Sequence, residues 1–139
     1  MSNRIYKTLT PLLKEKRYNL TYFQVANGME FLVAKNIYHG DLAARNVLLT
    51  DSLVAKIADF GLARRFYEDV NSDQPMFKPT SEWRPNLEPR VSVALPTKWL
   101  ALEVLLHKKI KPEKSDVWSY GVLTWEIFQL GEDPYRIGM

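Results

Sequence analysis

The sequence of 139 residues contains no cysteine. That excludes a disulfide framework and any thiolate metal site, and it suits a reducing compartment. No apolar run reaches the roughly 18–20 residues that a membrane helix needs. The opening stretch, MSNRIYKTLTPLLKEKRY, lacks the unbroken apolar core of a signal peptide. The chain as given is therefore expected neither to span a membrane nor to be exported. A basic stripe interleaved with aromatics, the mark of a nucleic-acid surface, is also missing. The formal charge of +3 comes from scattered Lys and Arg, densest in HKKIKPEK from His107 to Lys114. These charges read as solvated surface, His107 among them, and nucleic acid is not an expected partner.

What is present suffices for one soluble domain, since 46% of the residues are apolar and 12% aromatic. Residues 1–17 are mixed and polar, broken by Pro11, and read as a poorly ordered lead-in. From about Tyr18 to Lys35 the apolar positions Leu20, Phe23, Val25, Met29, Leu32 and Val33 recur near helical spacing, which predicts a helix with one buried stripe, weakened at Gly28. Two short apolar runs, NVLLT and LVAKIA, separated by Asp51 and Ser52, predict a small hairpin.

Between Leu62 and Pro96 periodicity disappears, and Pro75, Pro79, Pro85, Pro89 and Pro96 exclude a long helix or a central strand. A stretch of that length is functional or disordered. ALEVLLHKK then predicts a short helix. SDVWSYGVLTWEIFQL predicts a longer one, with Ser115 or Asp116 near its start and Gly131 just past its end. The longer helix is apolar almost all round, as a helix in the middle of a larger domain would be.

Pairing of the two hairpin runs would gather Asp41, Asn46 and Asp59. Magnesium prefers a few carboxylate or amide oxygens completed by phosphate and water, so this trio is chemically apt. Taken singly, each is better explained as a turn or capping residue that bonds local backbone.

The joint pattern weighs more. HGDLAARNVLL, KIADFGLAR, LPTKWLALEVL and SDVWSYGVLTWEIF follow in that order, and the chain resembles the large lobe of a protein kinase, whose signatures they match. The resemblance implies an α+β, protein-kinase-like fold in its mostly α-helical large lobe, over residues 18–139, truncated at both ends. Residues 1–17 would be a remnant of an insert. It implies ATP and Mg²⁺ as cofactors. Asp41 would orient the substrate hydroxyl and accept its proton, Asn46 and Asp59 would hold metal, and Leu48 and Ala58 would border adenine. His39 and Phe60 would pack beneath the site, Gly61 would have a structural or regulatory role, and Asp116 would tie down the catalytic loop, with a helix cap as its plainer reading.

Tyrosine is the implied acceptor. Arg45 stands in AAR where serine/threonine kinases usually have a lysine nearer the aspartate, at the position of Ala43, and LPTKW supplies Pro96, Lys98 and Trp99 to shape the platform. FQVANGMEFLVAKN, DFGLARRFYED and DVWSYGVLTWEIFQLGEDPY look most like the platelet-derived and vascular endothelial growth factor receptor group, with invertebrate-like HGD and KWLALE. The implied parent is a plasma-membrane receptor that dimerises, acts on protein tyrosines and carries this part in the cytoplasm. The competing reading is a truncated, non-catalytic, pseudokinase-like interaction module.

Four departures qualify the resemblance. No GxGxxG or VAIK occurs in these residues, so the chain alone is expected to transfer little phosphate. Gly40 replaces an arginine that in many kinases receives the phosphorylated activation loop, which implies weakened or rerouted control. The stretch QPMFKPTSEWRPNLEPRVSV lengthens the segment whose only tyrosine is Tyr67, an implied phosphorylation site. Finally, ALE replaces APE: Leu102 stands for proline, and Glu103 is expected to be exposed or unpaired.

Overall fold

The computed structural model describes residues 7–13, 20–65, 95–107 and 112–136. The extended stretch and Tyr67 lie outside them. Contrary to a poorly ordered lead-in, residues 7–13 form strand β1 (Lys7–Thr8) and a short helix α1 (Leu9–Leu13), with Leu9 fully buried. Pro11 is compatible with this because it sits in the first helical turn, where no intrahelical N–H bond is lost.

Helix α2 (Thr21–Ala34) forms where the periodicity predicts it. Its buried stripe is Thr21, Val25, Met29 and Leu32; Leu20, Phe23 and Val33, expected on that stripe, are exposed. Steps of four, four and three keep one face, and the other apolar positions fall off it. Gly28 has a packing reason: a Cβ there would lie 2.8 Å from Ile57 Cδ1. The helix can thus sit close on the hairpin.

Strand β2 (Ile37–Tyr38) leads into the segment 39–43 and a 3₁₀ turn over Ala44–Asn46. The predicted hairpin follows as β3 (Val47–Leu49) and β4 (Ala55–Ile57), paired antiparallel with Val47 opposite Ile57 and Leu49 opposite Ala55. The sheet has a third strand that the sequence reading omits, since β1 pairs with the other edge of β3. Beyond the hairpin, β5 (Arg64–Arg65) pairs with β2, bringing the chain after DFG beside the entry to the catalytic loop.

After the 3₁₀ turn Thr97–Trp99 come α3 (Leu102–His107) and α4 (Pro112–Phe128). Helix α4 starts before Ser115, with Pro112 at its first position, where a missing N–H costs nothing. Its C-terminus closes with Gly131 N–H donating to Glu126 C=O (2.8 Å) and Leu130 N–H to Ile127 C=O (3.2 Å). Two successive residues of this cap are left-handed, Leu130 (φ 57°) and Gly131 (φ 81°). Leu123 and Ile127 of α4 join Val25, Leu42, Val47 and Leu49 in the core, and Tyr120 Oη donates to Tyr22 C=O at 2.9 Å. On the opposite side Val117, Trp118, Trp125 and Phe128 remain exposed. No helix among the described residues is long and apolar enough to cross a membrane.

Candidate active site

The site is assembled by the hairpin and held from below by α4. A backbone bond from Ala58 N–H to Asn46 C=O (2.8 Å) continues the hairpin ladder and places Asp59 near the end of the catalytic loop. Asn46 donates through Nδ2 to both Asp41 C=O (2.7 Å) and Asp41 Oδ2 (2.9 Å), which leaves its Oδ1 available as an acceptor. Arg45 pairs with Asp41 Oδ1, and its guanidinium lies 4.2 Å from the centre of the Trp99 ring. The structure thus joins Asp41, Arg45, Asn46 and Trp99 directly.

Asp59 is exposed and adopts φ 60°, a left-handed conformation uncommon for a residue with a side chain. Such backbone strain clusters at functional sites. Its Oδ1 accepts the Gly61 N–H at 3.2 Å. His39 is fully buried. It accepts the Asp41 N–H on Nδ1 (3.2 Å), so Nε2 carries the proton and donates to Ala58 C=O (3.1 Å). One imidazole thereby links the catalytic loop to the residue before DFG. Phe60 rests against His39 with ring centres 4.9 Å apart, but 47% of it stays exposed. Leu48 and Ala58 are half-buried.

Asp116 is no helix cap, being the fifth residue of α4. Its carboxylate accepts His39 N–H on Oδ2 (2.8 Å) and Gly40 N–H on Oδ1 (3.1 Å). Burial pushes its carboxyl above the usual range, and the two backbone bonds oppose that rise. Lys98 pairs with Asp133 beyond α4, and Pro96 C=O accepts the Trp99 N–H (2.9 Å) to close the 3₁₀ turn. Glu103, expected exposed or unpaired, is half-buried, with Ser115 Oγ 3.5 Å from its Oε1.

Gly40 has φ +81°, and a Cβ on it would meet Tyr38 Cε1 at 2.9 Å and the Leu62 carbonyl oxygen at 3.1 Å. Leu62 O is backbone and cannot swing aside. Placing at this position the arginine that the resemblance would lead one to expect, Gly40→Arg, should therefore destabilise the domain by more than the roughly 1–2 kcal/mol of a left-handed residue alone. Urea denaturation midpoints of the complete protein, with and without the substitution, measure the effect.

Two residues escape the sequence reading. Glu126, buried on α4, accepts Ala44 N–H and Trp99 Nε1–H on the same Oε2, each at 2.9 Å. Ser119 Oγ donates to Trp99 C=O at 2.7 Å. The signal was available: a glutamate inside LTWEIF needs a buried partner as much as Asp116 does. Burial raises the Glu126 carboxyl; Trp99, Ala44 and Arg45 oppose this, while Asp133 adds to it.

A carboxyl raised on folding makes the native state bind more protons than the unfolded one between its ordinary and its raised value, so its contribution to stability falls as pH rises through that window. Glu126→Gln has no such titration. Its stability relative to wild type is thus expected to increase as pH is taken from about 4 towards neutrality. Urea midpoints across that range provide the check.

Comparison with known proteins agrees with this arrangement of motifs. The chain belongs to the protein tyrosine and serine/threonine kinase family, whose model matches residues 3–138. It is 49% identical over 113 residues to the mast/stem cell growth factor receptor Kit of Takifugu rubripes. Over the same length it is 48% identical to mouse vascular endothelial growth factor receptor 3 and 49% to mouse receptor 1. Each match takes in 81% of this chain but only 7–10% of the relative. Kinase membership implies, in general terms, ATP and a divalent cation.

Proposed function

We propose that these residues form the catalytic-loop half of a receptor protein tyrosine kinase that transfers the γ-phosphoryl group of ATP to protein tyrosine. The observation that carries this reading is the convergence on Asp41: Asn46 Nδ2 and Arg45 fix its two carboxylate oxygens, and Asp116 holds the backbone on its N-terminal side. A carboxylate so restrained can orient a tyrosine hydroxyl and take its proton as the oxygen attacks phosphorus and ADP departs.

Asn46 Oδ1 and the exposed Asp59 carboxylate offer hard oxygen donors. No cluster of three or more His, Cys, Asp or Glu side chains suited to a metal occurs among the described residues. Two protein oxygens supplemented by phosphate and water match the preference of Mg²⁺, so the donors fit the ion. ATP supplies the phosphoryl group and the metal neutralises its charge. Leu48 and Ala58 would border adenine. Arg45 would steady the acceptor oxygen, and Pro96, Lys98 and Trp99 would seat the acceptor side chain. His39 would support the loop from within, with Phe60 stacked against it and Gly61 N–H holding the Asp59 carboxylate.

The parent protein would sit in the plasma membrane, act on protein substrates and dimerise, with this domain in the cytoplasm. The complete receptor kinase should phosphorylate a random Glu/Tyr copolymer in the presence of Mg²⁺ and ATP and leave serine and threonine peptides unmodified. Phosphoamino-acid analysis yielding phosphoserine, or no transfer at all, would overturn the reading.

A further inference from the structure

We propose that Glu126 is a positioning residue for phosphotransfer, fixing the acceptor-tyrosine platform against the catalytic loop through one carboxylate oxygen. The inference rests on the kinase reading above. Ala44 belongs to the catalytic loop and Trp99 to the turn before α3, yet both donate to Glu126 Oε2 at 2.9 Å. Trp99 is gripped again at its carbonyl by Ser119, seven residues earlier and two turns along the same face of α4. Its ring, held at edge and backbone, lies against the Arg45 guanidinium, which pairs with Asp41. A continuous line of contacts therefore runs from Glu126 through Trp99 and Arg45 to the carboxylate that takes the proton.

Anchoring two loops for stability alone would not require a carboxylate in this place. Burial disfavours its charge there, as the raised carboxyl shows, and a buried ionic group is weak support for stability. Its particular effect is to reference two segments to one atom. An indole free to tilt would shift the seat of the acceptor side chain, so the cost falls first on peptide binding, while Asp41 keeps its own contacts to Asn46 and His39.

The test uses the complete receptor kinase carrying Glu126→Gln, Trp99→Phe, or both. Glutamine keeps an acceptor oxygen but loses the charge, and phenylalanine removes only the indole donor together with part of the ring. For each single variant, KM for a tyrosine peptide should rise on the order of tenfold, the fold-change that loss of a charge-assisted hydrogen bond represents. KM for ATP should stay within about twofold of wild type, because among the described residues no contact of Glu126 or Trp99 reaches those assigned to ATP. The double variant should be little worse than the poorer single one, because both remove the same coupling.

Equal shifts in peptide and ATP KM, or single effects that multiply in the double variant, would overturn the proposal. Should Glu126→Gln fail to fold, Trp99→Phe carries the test alone through its peptide-to-ATP contrast. Wild type and Asp41→Asn serve as controls: an inactive wild type or a fully active Asp41→Asn sinks the kinase reading itself. With both controls behaving as expected, an unchanged peptide KM sinks only the role of Glu126.

Discussion

Replacing Asp41 by asparagine in the complete receptor kinase is expected to lower kcat by about 10²- to 10⁴-fold, the range that positioned proton transfer contributes. KM for ATP and folding stability should change little. The loop keeps its shape through backbone groups of this residue, whose N–H donates to His39 Nδ1 (3.2 Å) and whose carbonyl accepts from Asn46 Nδ2 (2.7 Å). Neither contact involves the side chain. An asparagine amide could still accept from Asn46 or Arg45 on its one oxygen, but its NH₂ cannot take up a proton from a tyrosine hydroxyl. Steady-state kinetics beside a thermal melt separate the two effects. A loss smaller than about tenfold would remove Asp41 as proton acceptor.

Asp116→Ala should have the largest effect on stability. Two buried backbone donors, His39 N–H and Gly40 N–H, would lose their acceptor, at about 1–3 kcal/mol each. One gain opposes this. Burial disfavours the Asp116 charge, and alanine relieves that penalty. The gain is incomplete because the cavity left behind still faces two unsatisfied donors, so the expected net loss is several kcal/mol, in the range for breaking a buried ionic contact. Asp116→Asn should fall between, since one amide oxygen can serve His39 while the NH₂ confronts the Gly40 donor. Urea midpoints rank the three proteins. Hydrogen exchange at His39 and Gly40 localises the damage, and unchanged protection in Asp116→Ala would refute the account.

Much of this organisation was legible in the residues. Helix α2, the β3–β4 hairpin and both later helices lie close to where periodicity and turn residues put them, because local pattern specifies local structure. The motifs likewise single out Asp41, Arg45 and Asn46, which the fold brings into contact. What escaped depends on long-range placement. Nothing in LTPLL announces that Leu9 reaches the core, since a short polar-flanked segment gains its structure from pairing with β3. Hydrophobicity alone put Phe23 inside, whereas helix phase turned it out. For Glu126 the sequence shows a carboxylate on an apolar helix that needs donors, but not which ones, since Ala44 and Trp99 lie 82 and 27 positions away.

That distance bears on how the site is made in the cell. The contacts from α4 to the catalytic loop join residues 76, 77 and 82 positions apart. At a synthesis rate of about 5–20 residues per second, the loop emerges roughly 4–16 s before the helix that shapes it. During that interval the backbone donors of His39, Gly40 and Ala44 have only water as partner. The hairpin can close early from its own turn, but the arrangement around Asp41 must wait for α4. A nascent chain would therefore acquire its recognisable motifs well before it acquires a working site, and ribosome pausing between Arg65 and Pro112 would prolong the inactive interval without changing the final fold.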